Sequence, residues 1–251
     1  MRHPFGALLA TEWLKVRTIR LPVLLAAGAG ALTLVLALPP VLGAGRRGNP
    51  SVGTAGAMLA VLDAMGRGPL VALVLGVLLV TAEQHHGTIT PVLLQTPSRA
   101  RLLLAKAALG VLAGGGLGLL GLVTAMAVGI LSGAVTTDLM NADIAWRLAG
   151  LLLAHPAYAL FGVGVGALAA RSQPIAVALP VAWLLFGEAM LIQTVNRDLR
   201  PWGMTGATEA LANAGNVTGV QPIWVGGALL LVFALLAVAG GTVRLARADV
   251  T

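Results

Sequence analysis

The chain has 251 residues, of which 58% are hydrophobic and only 10% are charged, and its formal net charge is +7. Soluble domains carry roughly 25% charged residues, so a soluble fold is excluded and most of the surface must face lipid. There is no cysteine, which excludes disulfides and thiolate metal sites. We attribute the basic balance to loops that hold the topology in the bilayer, and we expect no nucleic-acid partner.

Residues 1–20 are predicted to form an amphipathic helix that lies in the membrane interface. Apolar side chains at helical spacing share one face: Phe5, Leu9, Trp13 and Val16. Polar side chains fall largely on another: Thr11, Glu12, Lys15 and Thr18. This pattern places Trp13 at headgroup depth and basic residues, among them Lys15 and Arg17, against anionic lipid. Glu12 and Lys15 are also spaced for an i, i+3 ion pair. The alternative is a frayed start of the first span.

Six apolar segments reach the roughly 20 residues that a membrane span needs. They cover 21–43, 66–88, 102–135, 147–170, 174–194 and 222–245. The first is too long for a cleaved signal peptide, so we expect it to be retained. The third is long enough to be tilted or broken. The expected fold is an all-α polytopic membrane protein forming a single domain over residues 1–251.

An even number of spans places both termini on one side, and the basic residues indicate which side. The set on the side of the termini is Arg2, Lys15, Arg17, Arg20, Arg99, Arg101, Lys106, Arg171, Arg244 and Arg247. The opposite set is smaller: Arg46, Arg47, Arg67, Arg147, Arg197 and Arg200. Because Lys and Arg are enriched in cytoplasmic loops, both termini are predicted to be cytoplasmic.

A polar, turn-bearing segment, residues 84–101, separates the second and third spans. Glu83 ends the apolar run before it, and Gly87 allows the chain to bend. Pro97 and Ser98 predict a turn and an N-cap for the next helix. Three basic residues then anchor the third span on the cytoplasmic side: Arg99, Arg101 and Lys106. We interpret this segment as a cytoplasmic loop.

Two short segments resemble the permease subunits of the ABC-2 exporter family. One is Glu-Trp-Leu-Lys-Val-Arg at 12–17, and the other runs from Glu83 through Gly87-Thr88 and Pro97-Ser98-Arg99 to Lys106. The resemblance implies an elbow helix, six spans, a permease dimer and a bacterial cell-membrane location. It also implies that 84–101 is a coupling loop contacting a separate ATP-binding subunit through Glu83, His86, Gly87, Thr88, Pro97, Ser98 and Arg99. Charge reversal at Glu83 is then expected to uncouple transport without loss of folding.

The sequence lacks the chemistry of an enzyme. No G-x-x-x-x-G-K-[ST] motif is present, so ATP and Mg²⁺ would bind to the partner ATPase and this chain would bind no cofactor. His85 and His86 are adjacent, and in a helix their rings point about 100° apart, which is poor geometry for one metal ion. We therefore expect no catalytic residue and no metal site.

Two polar residues inside spans need an explanation. Glu188 lies in the fifth span, where an acid is a functional candidate: a gate or cation contact, or a structural ion pair with Arg147 or Arg197. His155 lies in the fourth span and is either a pore residue or a hydrogen-bonded packing histidine.

Small residues recur at four-residue spacing in two spans. Gly110, Gly114 and Gly118 form such a face on the third span, and Gly162 and Gly166 repeat it on the fourth. This pattern favours close helix crossing, either with another span or with a second subunit.

Residues 195–221 form the longest break after the coupling loop, with a short apolar helix expected at 205–214. The resemblance implies that this stretch re-enters the membrane and caps the pathway; the alternative is an ordinary extracellular loop. The function expected is export of a hydrophobic or amphipathic substrate along a pathway lined by the second and fifth spans at a dimer interface. The alternative is an ATP-independent secondary transporter or a membrane assembly factor.

Overall fold

The computed structural model describes residues 5–18, 20–46, 48–85, 98–136, 141–169, 172–212 and 220–247, except the side chains of residues 84 and 85. The α-helices in these ranges are α1 (Phe5–Thr18), α2 (Arg20–Leu42), α3 (Ala55–Leu62), α4 (Gly68–His85), α5 (Arg99–Leu131), α6 (Ala142–Leu168), α7 (Gln173–Ala182), α8 (Glu188–Thr194), α9 (Met204–Ala212) and α10 (Ile223–Arg247). Two 3₁₀ helices, Asp63–Arg67 and Arg197–Trp202, precede α4 and α9, and a π-helical turn, Trp183–Gly187, joins α7 to α8.

Within the described residues, six helical stretches are long and apolar enough to cross a membrane. They are Arg20–Leu42, Ala55–Glu83, Arg99–Leu131, Ala142–Leu168, Gln173–Thr194 and Ile223–Arg247. Each corresponds to one predicted segment, so the prediction of six spans is confirmed. The chain's regular secondary structure in the described ranges is helical throughout, and the six apolar helices place it in the multi-pass membrane class. We call the end of the bundle that carries residues 5 and 247 the terminal end, and the other the distal end.

The second span begins earlier than predicted, at Ala55 rather than residue 66. Thr54 caps α3 by accepting a hydrogen bond from the Ala57 amide at 3.3 Å, and α3 runs through the 3₁₀ turn into α4. Met58 and Leu62 are fully buried against α6. Asp63 interrupts the apolar pattern in sequence, but its side chain lies on the exposed side of the turn, so the helical path continues past it.

The third span is a single unbroken helix. α5 has 33 residues and is therefore about 50 Å long, against about 30 Å for the hydrocarbon core of a bilayer. The chain leaves this helix at Ser132 and Gly133, where Gly133 adopts a positive φ of 71°. The predicted end at residue 135 is thus slightly too late, because Gly133 takes a left-handed conformation that terminates helices.

The fourth span, α6, is the centre of the bundle, and its glycines let other helices approach its backbone. A Cβ at Gly162 would overlap the backbone of α4 at Leu73, and a Cβ at Gly164 would overlap α10 at Ala237. Gly150 meets α9 in the same way, at the carbonyl of Leu211. Small residues are used here as in other membrane helices, because dispersion and close backbone packing replace the hydrophobic effect.

The glycine face of the third span packs against the fourth span rather than remaining open. A Cβ at Gly114 would lie 2.8 Å from Ala159 Cβ, and one at Gly118 would lie 3.0 Å from His155 Cγ. Gly110 faces Val163. The sequence left open whether this face meets another span or a second subunit. In the structure it meets another span of the same chain, at the crossing of α5 and α6.

The short helix α9 is enclosed by spans at the distal end. Ala207 is fully buried, Leu211 is almost so, and both belong to a core with Leu73 of α4 and Leu230 of α10. The Tyr158 hydroxyl of α6 is 2.9 Å from the Thr208 hydroxyl of α9. A short helix was expected at 205–214, and the structure places it at Met204–Ala212 as part of the core.

Candidate functional site

Four charged side chains from three helices form a cluster at the terminal end. Lys15 of α1 places its Nζ 2.6 Å from Glu12 Oε1 and 2.6 Å from Glu83 Oε1 of α4. Lys106 of α5 places its Nζ 2.7 Å from Glu12 Oε2 and 2.9 Å from Glu83 Oε1. We call Glu12, Lys15, Glu83 and Lys106 the charge cluster. Two carboxylates and two ammonium groups make it electrically neutral.

The charge cluster is largely withdrawn from solvent. The Glu12 and Lys106 side chains are 3% and 4% exposed, and Glu83 is 12% exposed. Removing a charge from water is costly unless its partners and hydrogen bonds are complete. Lys106 meets this condition, because its Nζ also donates to the Leu79 carbonyl at 3.0 Å and so has three oxygen atoms within hydrogen-bond distance.

The cluster changes the ionisation of the two α1 side chains. Burial disfavours the charged form of Glu12, but the ammonium groups of Lys106 and Lys15 outweigh burial and hold the pKa of Glu12 below its usual 4.5. Burial likewise works against charged Lys15, but the hydrogen bonds to Glu12 and Glu83 hold its pKa above 10.5. Both groups are therefore charged across the neutral range.

A loss of stability on acidification follows from the lowered pKa of Glu12. A carboxyl whose pKa is lowered by folding contributes stability above its unfolded value and loses that contribution as pH falls through its folded value. We expect the wild-type chain to be more stable than Glu12→Gln at pH 7, and the difference to shrink below about pH 4.5. Thermal unfolding of both proteins in detergent between pH 7 and pH 3 measures this. A difference that stays constant over that range would contradict the assignment.

The cluster lies at the two helix ends that the segment between the second and third spans connects. Glu83 is in the last turn of α4, Lys106 is in the second turn of α5, and residues 86–97 connect these two helices. Glu12 and Lys15 hold α1 against these two helix ends through their ion pairs with Lys106 and Glu83. The charge cluster therefore joins three helices at the terminal end.

Sequence reasoning anticipated only part of this cluster. The Glu12–Lys15 pair was expected from its i, i+3 spacing and is present. Lys106 was expected to be a loop-side anchor, but it is buried and bound to two carboxylates. A signal was available, because Lys15 and Lys106 are the only lysines in a chain rich in arginine, and both are in the cluster.

The face of α1 that turns toward the protein differs from the expected one. The prediction set Lys15 against anionic lipid, whereas the structure turns it toward the carboxylates of Glu12 and Glu83. Trp13 is half exposed on the outside of the bundle, and Arg17 is exposed. The correction has a physical reason: a buried Lys106 requires a carboxylate, and Glu12 supplies one only if this face packs on α5.

Part of the predicted coupling loop can be placed. Ser98 occupies the N-cap position of α5, as predicted, although its side chain makes no capping hydrogen bond. Arg99 reaches the last turn of α10, where its Nη1 donates to the Leu245 carbonyl at 2.6 Å. The remaining residues named for this loop, His86, Gly87, Thr88 and Pro97, lie outside the described residues.

A second arginine, Arg244, links two helices at the terminal end. Arg244 of α10 donates from Nη1 to the Ala167 carbonyl at 2.8 Å, near the C-terminus of α6. Cations at helix C-termini satisfy carbonyls that have no partner within the helix and complement the helix dipole. Together with Arg99, this residue links α5, α6 and α10 where the charge cluster links α1, α4 and α5.

Glu188 anchors α9. It is 5% exposed, and its carboxylate accepts hydrogen bonds from the Thr205 amide at 3.1 Å and the Thr205 hydroxyl at 2.7 Å. Gly203 allows this approach, because a Cβ there would overlap Glu188 Oε1. The ion pair considered with Arg147 or Arg197 is not formed: Arg147 pairs with Asp63 instead. Glu188 is thus a carboxylate at the first turn of α9, a position where negative charge stabilises a helix.

Removal of this carboxylate is expected to loosen α9. Glu188→Ala removes the buried carboxylate that accepts from the Thr205 amide and hydroxyl, and hydrogen bonds to a charged group are worth about 1.5–3 kcal/mol. Thermal unfolding in detergent measures the loss. The matched control is Glu209→Ala, which removes only an exposed pair with Arg200 and should change stability by less than about 1 kcal/mol. Equal stability of the two variants would contradict the anchoring role.

His155 is a packing residue in this structure. It is fully buried, its Nδ1 is 2.8 Å from the Leu151 carbonyl, and its ring lies against Gly118 of α5 and Gly68 of α4. Its Nε2 has no hydrogen-bond partner among the described residues. Of the two interpretations, the hydrogen-bonded packing histidine fits this environment.

The chain matches no protein-family model, and no curated protein matches it significantly in sequence. The fold and the site define a class: a helical membrane protein with six candidate spans in its described residues, whose helix α1 is held to the second and third spans by a neutral, largely buried charge cluster.

Proposed function

We propose that this chain is the permease subunit of an ABC-2-type exporter in a bacterial cell membrane. It works as a dimer, with a similar subunit or a second copy of itself, together with two separate ATP-binding subunits. The termini and the charge cluster face the cytoplasm. ATP and Mg²⁺ bind to the partner subunits, and the cargo is hydrophobic or amphipathic.

The observation that carries the proposal is the charge cluster. It joins α1 to α4 and α5 at the base of segment 84–101, the place where an ATPase would have to push. A neutral, buried cluster resists separation, because opening it would expose uncompensated charges to a low-dielectric region. Motion applied to the segment would therefore reach the second and third spans as movement of one unit, with α1 as an elbow helix.

The distal end agrees with the proposal in outline. The helix α9, between the fifth and sixth spans, packs among α4, α6 and α10, as a cap over a pathway would. The fifth span carries large side chains on its outer surface, including Trp183, Phe186 and Met190. In the most apolar stretch of the second span, 61% of the residues are buried, which is the largest share among the six spans. For the fifth span the share is 17%. We therefore assign the lining of the pathway mainly to the fifth span.

The alternative of a secondary transporter rested on Glu188 as a coupling acid. Its carboxylate is already occupied by Thr205, which favours a structural role over reversible ion binding. We therefore retain the ATP-driven exporter as the proposed function.

Co-purification tests the proposal. A tagged full-length chain, extracted in mild detergent from the cells that encode it, should bring down a phosphate-loop ATPase in a one-to-one ratio. Arg101→Glu, an exposed change at the start of α5, should reduce the yield of ATPase, whereas Arg46→Glu, exposed at the distal end, should not. Export that continues when the ATPase is absent would refute the proposal.

The structure also changes the expected result for Glu83. Charge reversal was expected to uncouple transport without loss of folding. Glu83→Lys would instead bring a third ammonium group beside Lys15 and Lys106 in a largely buried place. We now expect this variant to lose stability, so it does not test coupling alone.

A further inference from the structure

A cavity of about 470 Å³ lies at the distal end of the bundle. Its walls come from the 3₁₀ turn before α4, from α6, from the π-helical turn, and from the two short helices between the fifth and sixth spans. The volume is in the range of sites that hold small molecules, about 300–1,000 Å³. The charge cluster is at the other end of the molecule, so this cavity is a separate feature.

The charged groups around the cavity leave a surplus of positive charge. Arg147 pairs with Asp63, and Arg200 pairs with Glu209 at 3.0 Å. Arg67 also lines the cavity, and it has no ion pair among the described residues. The two acids are thus already neutralised, and one guanidinium remains for an anion.

Arg147 supplies a second unused donor. Its Nε is buried and has no hydrogen-bond partner within the described part of the chain. A buried donor without an acceptor costs roughly 1–3 kcal/mol, and an anion in the cavity would relieve that cost once the Arg147 side chain turns to meet it. Guanidinium groups suit phosphate and carboxylate oxygens in particular, because their planar N–H groups donate in pairs.

The rest of the wall is apolar and leads toward lipid. Leu70, Leu151 and Leu184 line the cavity, and Leu184 is 9% exposed. The next residue, Leu185, also lines it and is 41% exposed on the surface of the fifth span. An acyl or other apolar chain can therefore lie along this wall while its charged end stays beside the arginines.

We propose that this cavity binds an anionic amphiphile, with its phosphate or carboxylate between Arg67 and Arg147 and its apolar chain passing Leu185 toward the bilayer. The two paired acids disfavour a cationic ligand, because neither carboxylate is available without breaking an ion pair. The site goes beyond the proposed export function and does not depend on an ATPase.

Native mass spectrometry of the full-length chain in nonionic detergent tests the site. The probes are phosphatidylglycerol, phosphatidylcholine and inorganic phosphate. We expect phosphatidylglycerol to bind in preference to phosphatidylcholine. Arg67→Gln should weaken phosphatidylglycerol binding by about tenfold or more, as expected for loss of a charged hydrogen bond. Arg46→Gln, an exposed arginine at the same end outside the cavity, should leave it unchanged.

A second variant tests the cavity without changing charge. Gly66 lines it, and a Cβ there would meet only Leu151 Cδ2, at 3.6 Å, so Gly66→Leu can fill the space. This variant should lose phosphatidylglycerol binding although every arginine remains.

Competition with inorganic phosphate distinguishes the sources of the anion. If phosphate fails to displace phosphatidylglycerol, the site is a lipid site in which the apolar wall contributes. If millimolar phosphate displaces phosphatidylglycerol, the cavity is a site for a free anion, and the proposal of an amphiphilic ligand is wrong. Equal binding of the two lipids, or equal effects of Arg67→Gln and Arg46→Gln, overturns the proposal altogether.

Discussion

Replacing Lys106 with methionine is expected to destabilise the folded chain by about 3–5 kcal/mol, because it removes the buried cation that pairs with two carboxylates. Glu12 and Glu83 would then share Lys15 alone, and Glu12 would remain 3% exposed with a net negative charge around it. Thermal or denaturant unfolding in detergent measures the loss. The methionine keeps the length of the lysine stem, so the effect reports charge rather than a cavity.

Two further variants separate charge from packing. Arg101→Met removes a cation from an exposed position on the same helix and should change stability by less than about 0.5 kcal/mol. Glu12→Gln combined with Lys106→Met restores neutrality, and the double variant should be more stable than Lys106→Met alone. If Lys106→Met is as stable as Arg101→Met, the cluster does not hold these helices together.

Replacing Gly76 with alanine is expected to prevent the close crossing of α4 and α6. A Cβ at this position would overlap the Ala159 carbonyl oxygen and would lie 2.9 Å from the Val163 nitrogen. These are backbone atoms that cannot move aside as a side chain can, so the two helices must separate. Overpacking usually costs about 1–3 kcal/mol, and we expect a loss at or above the upper end of that range. Unfolding in detergent and the yield of monodisperse protein measure it.

The matched control is Gly115→Ala on α5, where a Cβ would meet nothing within 4 Å. Alanine favours a helix over glycine by about 1 kcal/mol, so this variant should be neutral or slightly stabilised. The same substitution is thus expected to have opposite signs at two glycines of neighbouring spans. If both variants have wild-type stability, the crossing of α4 and α6 is looser than the structure describes.

The sequence predicted the spans well because each depends on local composition. A run of about 20 apolar residues is stable only as a helix in lipid, where every backbone group must be hydrogen-bonded within the segment. The errors fell at the ends. The second span was predicted to begin at residue 66, whereas the helical stretch begins at Ala55, and the predicted end at residue 135 passed over Gly133, whose positive φ stops the helix.

The partners of the charged residues were not predictable in the same way. Glu12 and Lys106 are 94 residues apart, and their contact depends on how α1 lies against α5. Glu188 was recognised as unusual from its place in an apolar run, but its partner, Thr205, belongs to the first turn of a helix that meets it only in three dimensions. The sequence suggested Arg147 or Arg197 as a partner for Glu188 because their charges are opposite. In the structure, Arg147 forms its ion pair with Asp63 instead.

The sequence by itself therefore determined the class of the protein, six apolar helices in a membrane, since hydropathy and length act within each segment. Only the tertiary structure decided which glycine face meets which span and how two carboxylates and two lysines form one neutral cluster. These features depend on close approach between distant segments. Helix crossing requires small residues opposite a specific backbone, and buried charges require partners within about 3 Å.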